Sequence, residues 1–215
     1  GNFQRSLMIG NTCGWDTDCN SANIGCLMGI RNGLSGINLS ADWRGPVADR
    51  LYLPTADGGR CVSDAAIETY HIVNAGRALQ GLPPAAPKKG ARFHFDLPGS
   101  VQGFASEAGE GLSLLEIANV TGHSQNGSRS LALKLVSGVG EPVRGRANPF
   151  VGRANPSVGR AATATFITPA DMAMPGYELI ASPTLYPGQT VTARLQADPG
   201  NGAMLPVRLF LNRYV

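Results

Sequence analysis

The sequence of 215 residues is poor in charge, with acidic and basic residues making up 15%, against about 25% in an average soluble domain. Its 18 Lys and Arg residues and 15 Asp and Glu residues leave a net charge of +3. Positive charge this weak and dispersed argues against a nucleic-acid partner. Hydrophobic residues nevertheless make up 43% of the chain, which is enough to form a buried core.

Long hydrophobic runs are also absent. No stretch of about 18 apolar residues occurs, which excludes a transmembrane helix, and we expect no membrane partner. The first residues are not followed by the apolar core of a signal peptide, and the lack of a targeting segment favours the cytoplasm. Gly1 stands where an initiator Met is expected, so we expect the chain to begin within a longer protein.

Cysteine is scarce, with four residues in the whole chain. None are spaced as Cys-x-x-Cys and no His lies at zinc-ligand spacing, which argues against a zinc site. The number is too small for a disulfide scaffold, and a cytosolic setting favours free thiols over a structural disulfide. These residues are Cys13, Cys19, Cys26 and Cys61.

The hydrophobic pattern changes its period near residue 85. Before this point it predicts helices over 18–31 and 63–79, the second of them capped by Ser63 or Asp64. The segment 83–90 is rich in Pro and then basic, which is typical of a short semi-rigid linker. The predicted domains are therefore residues 1–82 and 91–215, joined by this linker.

The helical half cannot bury a sizeable core by itself, because two helices and a loop are too small. We expect it to pack against the second half, another chain or a missing N-terminal portion. The helix over 18–31 is rich in small and apolar residues, and such helices are usually buried.

After the linker, apolar and polar residues alternate, which predicts about seven short strands. Turn residues separate them, and the pattern favours an antiparallel β-sandwich or jelly roll. The predicted fold class is thus a partial all-α domain followed by an all-β domain. The predicted strands cover 92–97, 112–120, 130–135, 163–167, 177–181, 190–195 and 207–211.

A seven-residue repeat containing Gly, Pro and Arg interrupts the β half between residues 143 and 161. We interpret it as a long, exposed, basic loop. Its Arg side chains could also contact an anion.

Asp16 and Asp18 carry the strongest chemical signal. Two carboxylates two residues apart at the start of a helix suit a hard divalent cation. The alternative is that one of them caps the helix. A calcium EF-hand loop is excluded, because Ser21 and Leu27 stand where that loop needs Gly and Glu.

These residues resemble the C-terminal signature of the ADP-ribosylglycohydrolase family, which includes the dinitrogenase-reductase-activating glycohydrolases. The similarity covers about residues 3 to 81. It rests on the run Gly14-Trp15-Asp16-Thr17-Asp18-Cys19-Asn20, on Gly25 and Gly29, and on Asp42-Trp43.

The resemblance implies an all-α fold around two Mg²⁺ ions, or Mn²⁺, and hydrolysis of an ADP-ribosyl or related N- or O-glycosidic bond. It makes Asp16 and Asp18 metal ligands and catalytic residues that position a water molecule. Cys19 stands where the family has a Thr ligand, and a thiol is a poor Mg²⁺ ligand. Thr17 or Asn20 would then supply an oxygen, or a water molecule would fill the position.

The family's other ligands include a Thr-Asp-Asp cluster that this chain lacks. We therefore expect a C-terminal fragment that is inactive without its N-terminal helical half, its main partner. Trp15 and Trp43 are candidates to line the substrate pocket. His71 is interpreted as a packing or surface residue, while His94 and His123 have no evident partner in the sequence.

The β half resembles the opening of carbohydrate-binding jelly rolls. The similarity rests on Phe93-His94-Phe95-Asp96, on Gly103-Phe104 and on the strand from Gly127 to Leu133. The alternative function is therefore a carbohydrate- or protein-binding sandwich that the helices brace, without catalysis. Tyr177, Tyr186 and Phe150 are the candidates for stacking on a sugar.

Overall fold

A computed structural model describes residues 1–53, 59–109, 112–136, 158–173, 181–201 and 206–212. Contacts divide the chain into two compact units, Gly1–Val47 and Ala48–Val215. The domain bounds that the sequence suggests, on either side of residues 83–90, stay a prediction. Across the described parts of the chain, no helix combines the length and hydrophobicity that a membrane span requires.

The first unit is a pair of helices, α1 (Phe3–Asn11) and α2 (Asp18–Ile37). The side chain of Asn2 caps α1 by accepting the N–H of Arg5 at 2.8 Å. Gly10 is buried where the helices meet. A Cβ at this position would lie 2.2 Å from Cδ1 of Ile24, so the small residue allows α2 to approach closely.

Helix α2 begins where the sequence predicts but continues six residues beyond Arg31. Gly33 interrupts it with φ 64° and ψ −175°, a conformation that is accessible to glycine. The helix has no buried residue, which contradicts the expectation of a buried helix. The reason is that α1 is the only other α-helix in residues 1–47, all of which are described, and it covers one side.

The second unit begins with a short hairpin that leads into a helix. Strand β1 (Arg50–Tyr52) pairs antiparallel with β2 (Val62–Asp64), and α3 (Ala65–Leu79) follows at once. Asp64 caps α3 by accepting two backbone N–H groups at 2.9 Å each, which confirms the predicted cap and helix. Because the hairpin lies within 1–82, that segment is not all-α, and this part of the predicted fold class is wrong.

The predicted linker is packed against α3. The side-chain amide of Asn74 donates to the carbonyl of Ala85 at 3.2 Å and accepts its N–H at 2.7 Å. Arg77 donates from Nε to the carbonyl of Pro83 at 2.7 Å. These three hydrogen bonds fix the start of the segment 83–90 on the helix.

The remaining sheets are small. Strands β5 (Leu115–Thr121) and β6 (Arg129–Leu135) form an antiparallel hairpin with Ile117 opposite Leu133. This hairpin confirms the strands predicted over 112–120 and 130–135. Four further strands of two residues each form two short pairs. Strand β3 (Ala105–Ser106) pairs antiparallel with β8 (Ala161–Ala162), and β4 (Leu112–Ser113) pairs parallel with β7 (Val158–Gly159). The short helix α4 (Pro169–Met172) follows.

The described residues therefore show helices and four two-stranded sheets, and a jelly-roll sandwich is not confirmed. Of the predicted strands, 92–97, 163–167, 190–195 and 207–211 are in none of these sheets. The strand predicted over 177–181 lies outside the described residues except for Ala181. The repeat also lies outside the described residues up to residue 157, and its last residues form β7 and the start of β8.

Among the described residues, the apolar core of the second unit is small. It consists of Cys61, Val62 and Ile167, which are 0%, 4% and 1% exposed, with Tyr52 and Phe166 packed against them. Beside it, several polar side chains are equally buried. The structure of this unit therefore depends on hydrogen bonds as well as on apolar contact.

Candidate functional site

The loop between α1 and α2 turns the chain sharply just before the two carboxylates. Gly14 and Trp15 both have left-handed backbone conformations, with φ 79° and φ 63°. This conformation is uncommon for a bulky residue such as Trp. The indole of Trp15 is 100% exposed. The turn therefore presents an aromatic surface to solvent immediately before Asp16.

The start of α2 is tied to the end of α1 by one residue. The hydroxyl of Thr17 donates to the carbonyl of Asn11 at 3.1 Å, and that of Ser21 donates to Oδ1 of Asn11 at 3.3 Å. These bonds fix the position of the carboxylates relative to α1. Asn11 was missed in the sequence, because a side chain at a helix end has no pattern that marks such a role.

Neither carboxylate caps α2. The N-cap residue is Thr17, whose side chain makes no cap hydrogen bond. Oδ1 of Asp18 accepts the N–H of the adjacent Cys19 at 2.8 Å. The structure thus gives no support to the capping alternative, and it leaves both carboxylates exposed at the surface.

The two carboxyls interact directly with each other. The pKa of Asp16 is raised because its carboxyl hydrogen-bonds with that of Asp18 and is repelled by its charge. The same hydrogen bond lowers the pKa of Asp18. Two neighbouring carboxylates are like charges, and a bound cation would relieve their repulsion.

The donor atoms fit part of a Mg²⁺ site. Carboxylate and hydroxyl oxygens are hard ligands, and Mg²⁺ is often held by one or two carboxylates together with water. In the part of the chain that the structure describes, no cluster of three His, Cys, Asp or Glu residues could hold a metal ion. Asp16 and Asp18 would therefore need further ligands to hold a metal ion.

The other predicted ligands and the second Trp are placed differently. Cys19 and Asn20 are exposed on the first turn of α2. Trp43 is 43% exposed and packs edge-to-face on Phe3, with ring centroids 6.2 Å apart. Phe3 begins the nine-residue helix α1, about 12 Å from its far end. Trp43 thus lies near the N-terminal end of α1, whereas the carboxylates follow its C-terminal end.

Comparison with known proteins places the similarity in the first third of the chain. No curated protein and no solved structure matches. Residues 1–73 match the family model of ADP-ribosylglycohydrolase. The matched segment contains both helices of the first unit, the carboxylate pair and the first half of α3. In this segment, the chain is similar to the ADP-ribosylglycohydrolases.

Proposed function

We propose that residues 1–73 are the C-terminal part of a metal-dependent glycohydrolase that acts on ADP-ribosyl or related N- or O-glycosidic bonds. The observation that carries the proposal is the exposed, interacting pair of carboxyls of Asp16 and Asp18 within the matched segment. The remaining ligands would come from an N-terminal helical half, and the chain alone would be inactive.

The residues of this chain would hold a metal ion and orient a water molecule. Asp16 and Asp18 would bind Mg²⁺ or Mn²⁺, and Thr17 or Asn20 would add an oxygen. Bound there, a divalent ion supplies charge stabilisation and a more acidic water. Either carboxylate, Asp16 or Asp18, would also accept a hydrogen bond from a water and direct it at the anomeric carbon.

Trp15 would contribute binding to the substrate. Its indole is fully exposed and precedes the carboxylates directly in the chain. An exposed aromatic ring offers a flat apolar surface on which a base or another planar group can stack. Trp43 packs on Phe3 instead, so we assign it a smaller role in substrate binding than Trp15.

Titration with Mn²⁺ by calorimetry tests the metal site. The chain and a longer form with its upstream sequence restored are compared, each with Asp16→Asn and Asp18→Asn. We expect tight binding only in the longer form, and its loss in both variants. The control is Asp198→Asn, an exposed turn carboxylate in the other unit, which should leave binding unchanged. Equal binding by all variants would exclude the proposed ligands.

Release of ADP-ribose from an ADP-ribosylated arginine derivative tests the reaction. The longer form should release it only in the presence of Mg²⁺ or Mn²⁺, and Asp16→Asn should reduce the rate at least a hundredfold. Metal binding without release would leave the site in place and remove the ADP-ribosyl substrate. The other bonds of the proposed class, N- and O-glycosides, would then be tested next.

No observation on the described residues specifically supports the alternative function, a binding module in the β half. Phe93 and Phe95 each pack edge-to-face on Phe104, with ring centroids 5.2 and 5.8 Å apart. Tyr186 is 41% exposed, while Tyr177 and Phe150 lie outside the described residues. We therefore do not extend the proposal to a glycan.

A further inference from the structure

A cluster of buried polar side chains joins the start of α3 to the segment 92–104 in the second unit. Its members are Asp64, His94, Ser100 and Gln102, which are 2%, 3%, 2% and 1% exposed. Burying polar groups costs free energy unless each finds a hydrogen-bond partner. The conformation of segment 92–104 therefore depends on how these partners are arranged.

The side-chain amide of Gln102 holds the segment together. Its oxygen accepts the backbone N–H groups of His94 at 2.8 Å and Phe95 at 2.7 Å. Its nitrogen donates to the carbonyl of Arg92 at 3.0 Å and to the carboxylate of Asp64 at 3.3 Å. Both Phe95 and Gln102 have left-handed backbone conformations, with φ 56° and 47°. These uncommon conformations persist because the hydrogen bonds enforce them.

The imidazole of His94 completes the arrangement. Its Nδ1 accepts the backbone N–H of Asp96 at 3.0 Å, so this nitrogen carries no proton in the folded state. The ring packs edge-to-face on Tyr70 of α3, with centroids 5.1 Å apart. A proton on Nδ1 would face the N–H of Asp96, and both donors would be left without an acceptor.

The charged groups around His94 act in both directions. Burial lowers the pKa of His94 most strongly, and Lys88 lowers it further. The carboxylates of Asp96 and Asp64 raise it, but the net shift is downward. A base with a lowered pKa in the folded state adds stability above its ordinary value of about 6.5. That stability is lost as the pH falls below this value.

The contacts of Asp96 extend this arrangement to the β5–β6 hairpin. Its carboxylate accepts the N–H groups of Ser128 at 3.0 Å and Arg129 at 3.1 Å, at the start of β6. Asn119 of β5 donates to the carbonyl of Phe95 at 2.7 Å. A change at His94 therefore reaches α3 on one side and the hairpin on the other.

We propose that His94 is an acid-sensitive latch. The neutral imidazole locks segment 92–104 between the start of α3 and the β5–β6 hairpin, and protonation at Nδ1 releases it. The release acts on the second unit alone, because every group in the network belongs to that unit.

Amide hydrogen exchange between pH 7.5 and 5 tests the latch, with each rate corrected for the intrinsic pH dependence. Below pH 6.5, exchange at residues 94–96 should accelerate by up to tenfold per pH unit. Amides of α2 serve as the internal reference and should not accelerate. A flat profile at residues 94–96 would overturn the proposal.

Two variants separate His94 from the other histidines. In His94→Asn an amide oxygen can replace Nδ1 as the acceptor and cannot titrate, so the acceleration should disappear. His123→Asn changes an exposed residue with φ 56° and should keep the wild-type profile. Acceleration of equal slope in His94→Asn would contradict the latch.

A measurement on the unmodified chain covers the case in which His94→Asn does not fold. The imidazole resonances of the three histidines are followed by NMR over the same pH range. His94 should titrate below the ordinary histidine value of about 6.5, and the acceleration of exchange at residues 94–96 should level off near its midpoint. A His94 midpoint at or above about 6.5 would overturn the proposal.

Discussion

Asp16 and Asp18 cannot ionise independently, because each carboxyl hydrogen-bonds with the other. We predict that Asp18→Asn lowers the pKa of Asp16, since the neighbouring negative charge is removed. A carboxyl ¹³C NMR titration measures this change. Asp198→Asn, in a distant turn of the sequence, should leave the titration of Asp16 unchanged. An unaltered Asp16 midpoint in Asp18→Asn would show that the pair is not coupled.

Some functional residues can be found in the sequence, and others become visible only in the folded structure. The carboxylate pair could be found in the sequence because its two members are two positions apart in one run. Asn11, which fixes Thr17 and Ser21, could not, because its role arises only when α1 and α2 pack together. The role of His94 likewise leaves no mark in the sequence pattern, although Asp96, whose N–H it accepts, is only two residues away. Its network includes Gln102, whose amide binds its backbone from eight residues away.

At the scale of the elements, glycine conformation divides α2 into two parts. Gly33 has φ 64° and ψ −175°, whereas a Cβ on Gly29 would meet only Cδ1 of Ile37 at 3.6 Å, an ordinary contact. Gly33→Ala should therefore destabilise the helix by about 1–3 kcal/mol. Gly29→Ala should stabilise it by about 0.5–1 kcal/mol. Urea unfolding followed by amide signals of α2 measures both changes in stability. Changes of the same sign in the two variants would contradict the kink at Gly33.

The start of α3 gives a second prediction at this scale. Asp64 accepts two helix N–H groups and faces the amide of Gln102. Asp64→Ala removes the cap and leaves a buried donor without a partner, so the second unit should lose about 2–4 kcal/mol. Asp64→Asn keeps an acceptor for the helix and should cost less. Thermal unfolding compares the two, and an equal loss would argue against the cap.

The burial of Asp64 also sets the sign of a pH effect. Burial raises its pKa more than its hydrogen bonds and Arg92 lower it. A carboxyl with a raised pKa in the folded state favours the protonated form. Its contribution to stability therefore falls as the pH rises from its ordinary value of about 3.9 through the raised one. His94 acts oppositely and in a higher pH range.

The elements that the sequence predicts correctly are those that local patterns specify. Helix α3 has a cap and a helical period, and β5 and β6 alternate on either side of the turn residues Asn126-Gly127. Residues 92–97 alternate as well, but the amide of Gln102 takes up the N–H groups that a strand would use. Competition from a distant side chain is not visible in a local period.

At the scale of the whole molecule, the first unit exposes more apolar surface than a helical pair needs. Leu27 and Ile30 of α2 are 66% and 79% exposed. In the chain of 215 residues, the double change Leu27→Gln and Ile30→Gln should alter the free energy of unfolding by no more than about 0.5 kcal/mol. If the proposed N-terminal half covers this face, the same change in the longer form should cost about 3–5 kcal/mol, since two buried apolar side chains are lost.

A matched variant distinguishes this effect from general damage to α2. Ile24 packs at Gly10 against α1, so Ile24→Gln should destabilise the short and the longer form alike. Urea unfolding of both forms, with amide signals of α2 as the probe, gives four changes in unfolding free energy, one for each variant in each form. Loss only in the longer form for Leu27 and Ile30, and in both forms for Ile24, indicates a helical partner on the outer face. An unchanged longer form would remove that face as the docking surface, although the ligands of Asp16 and Asp18 could still come from elsewhere.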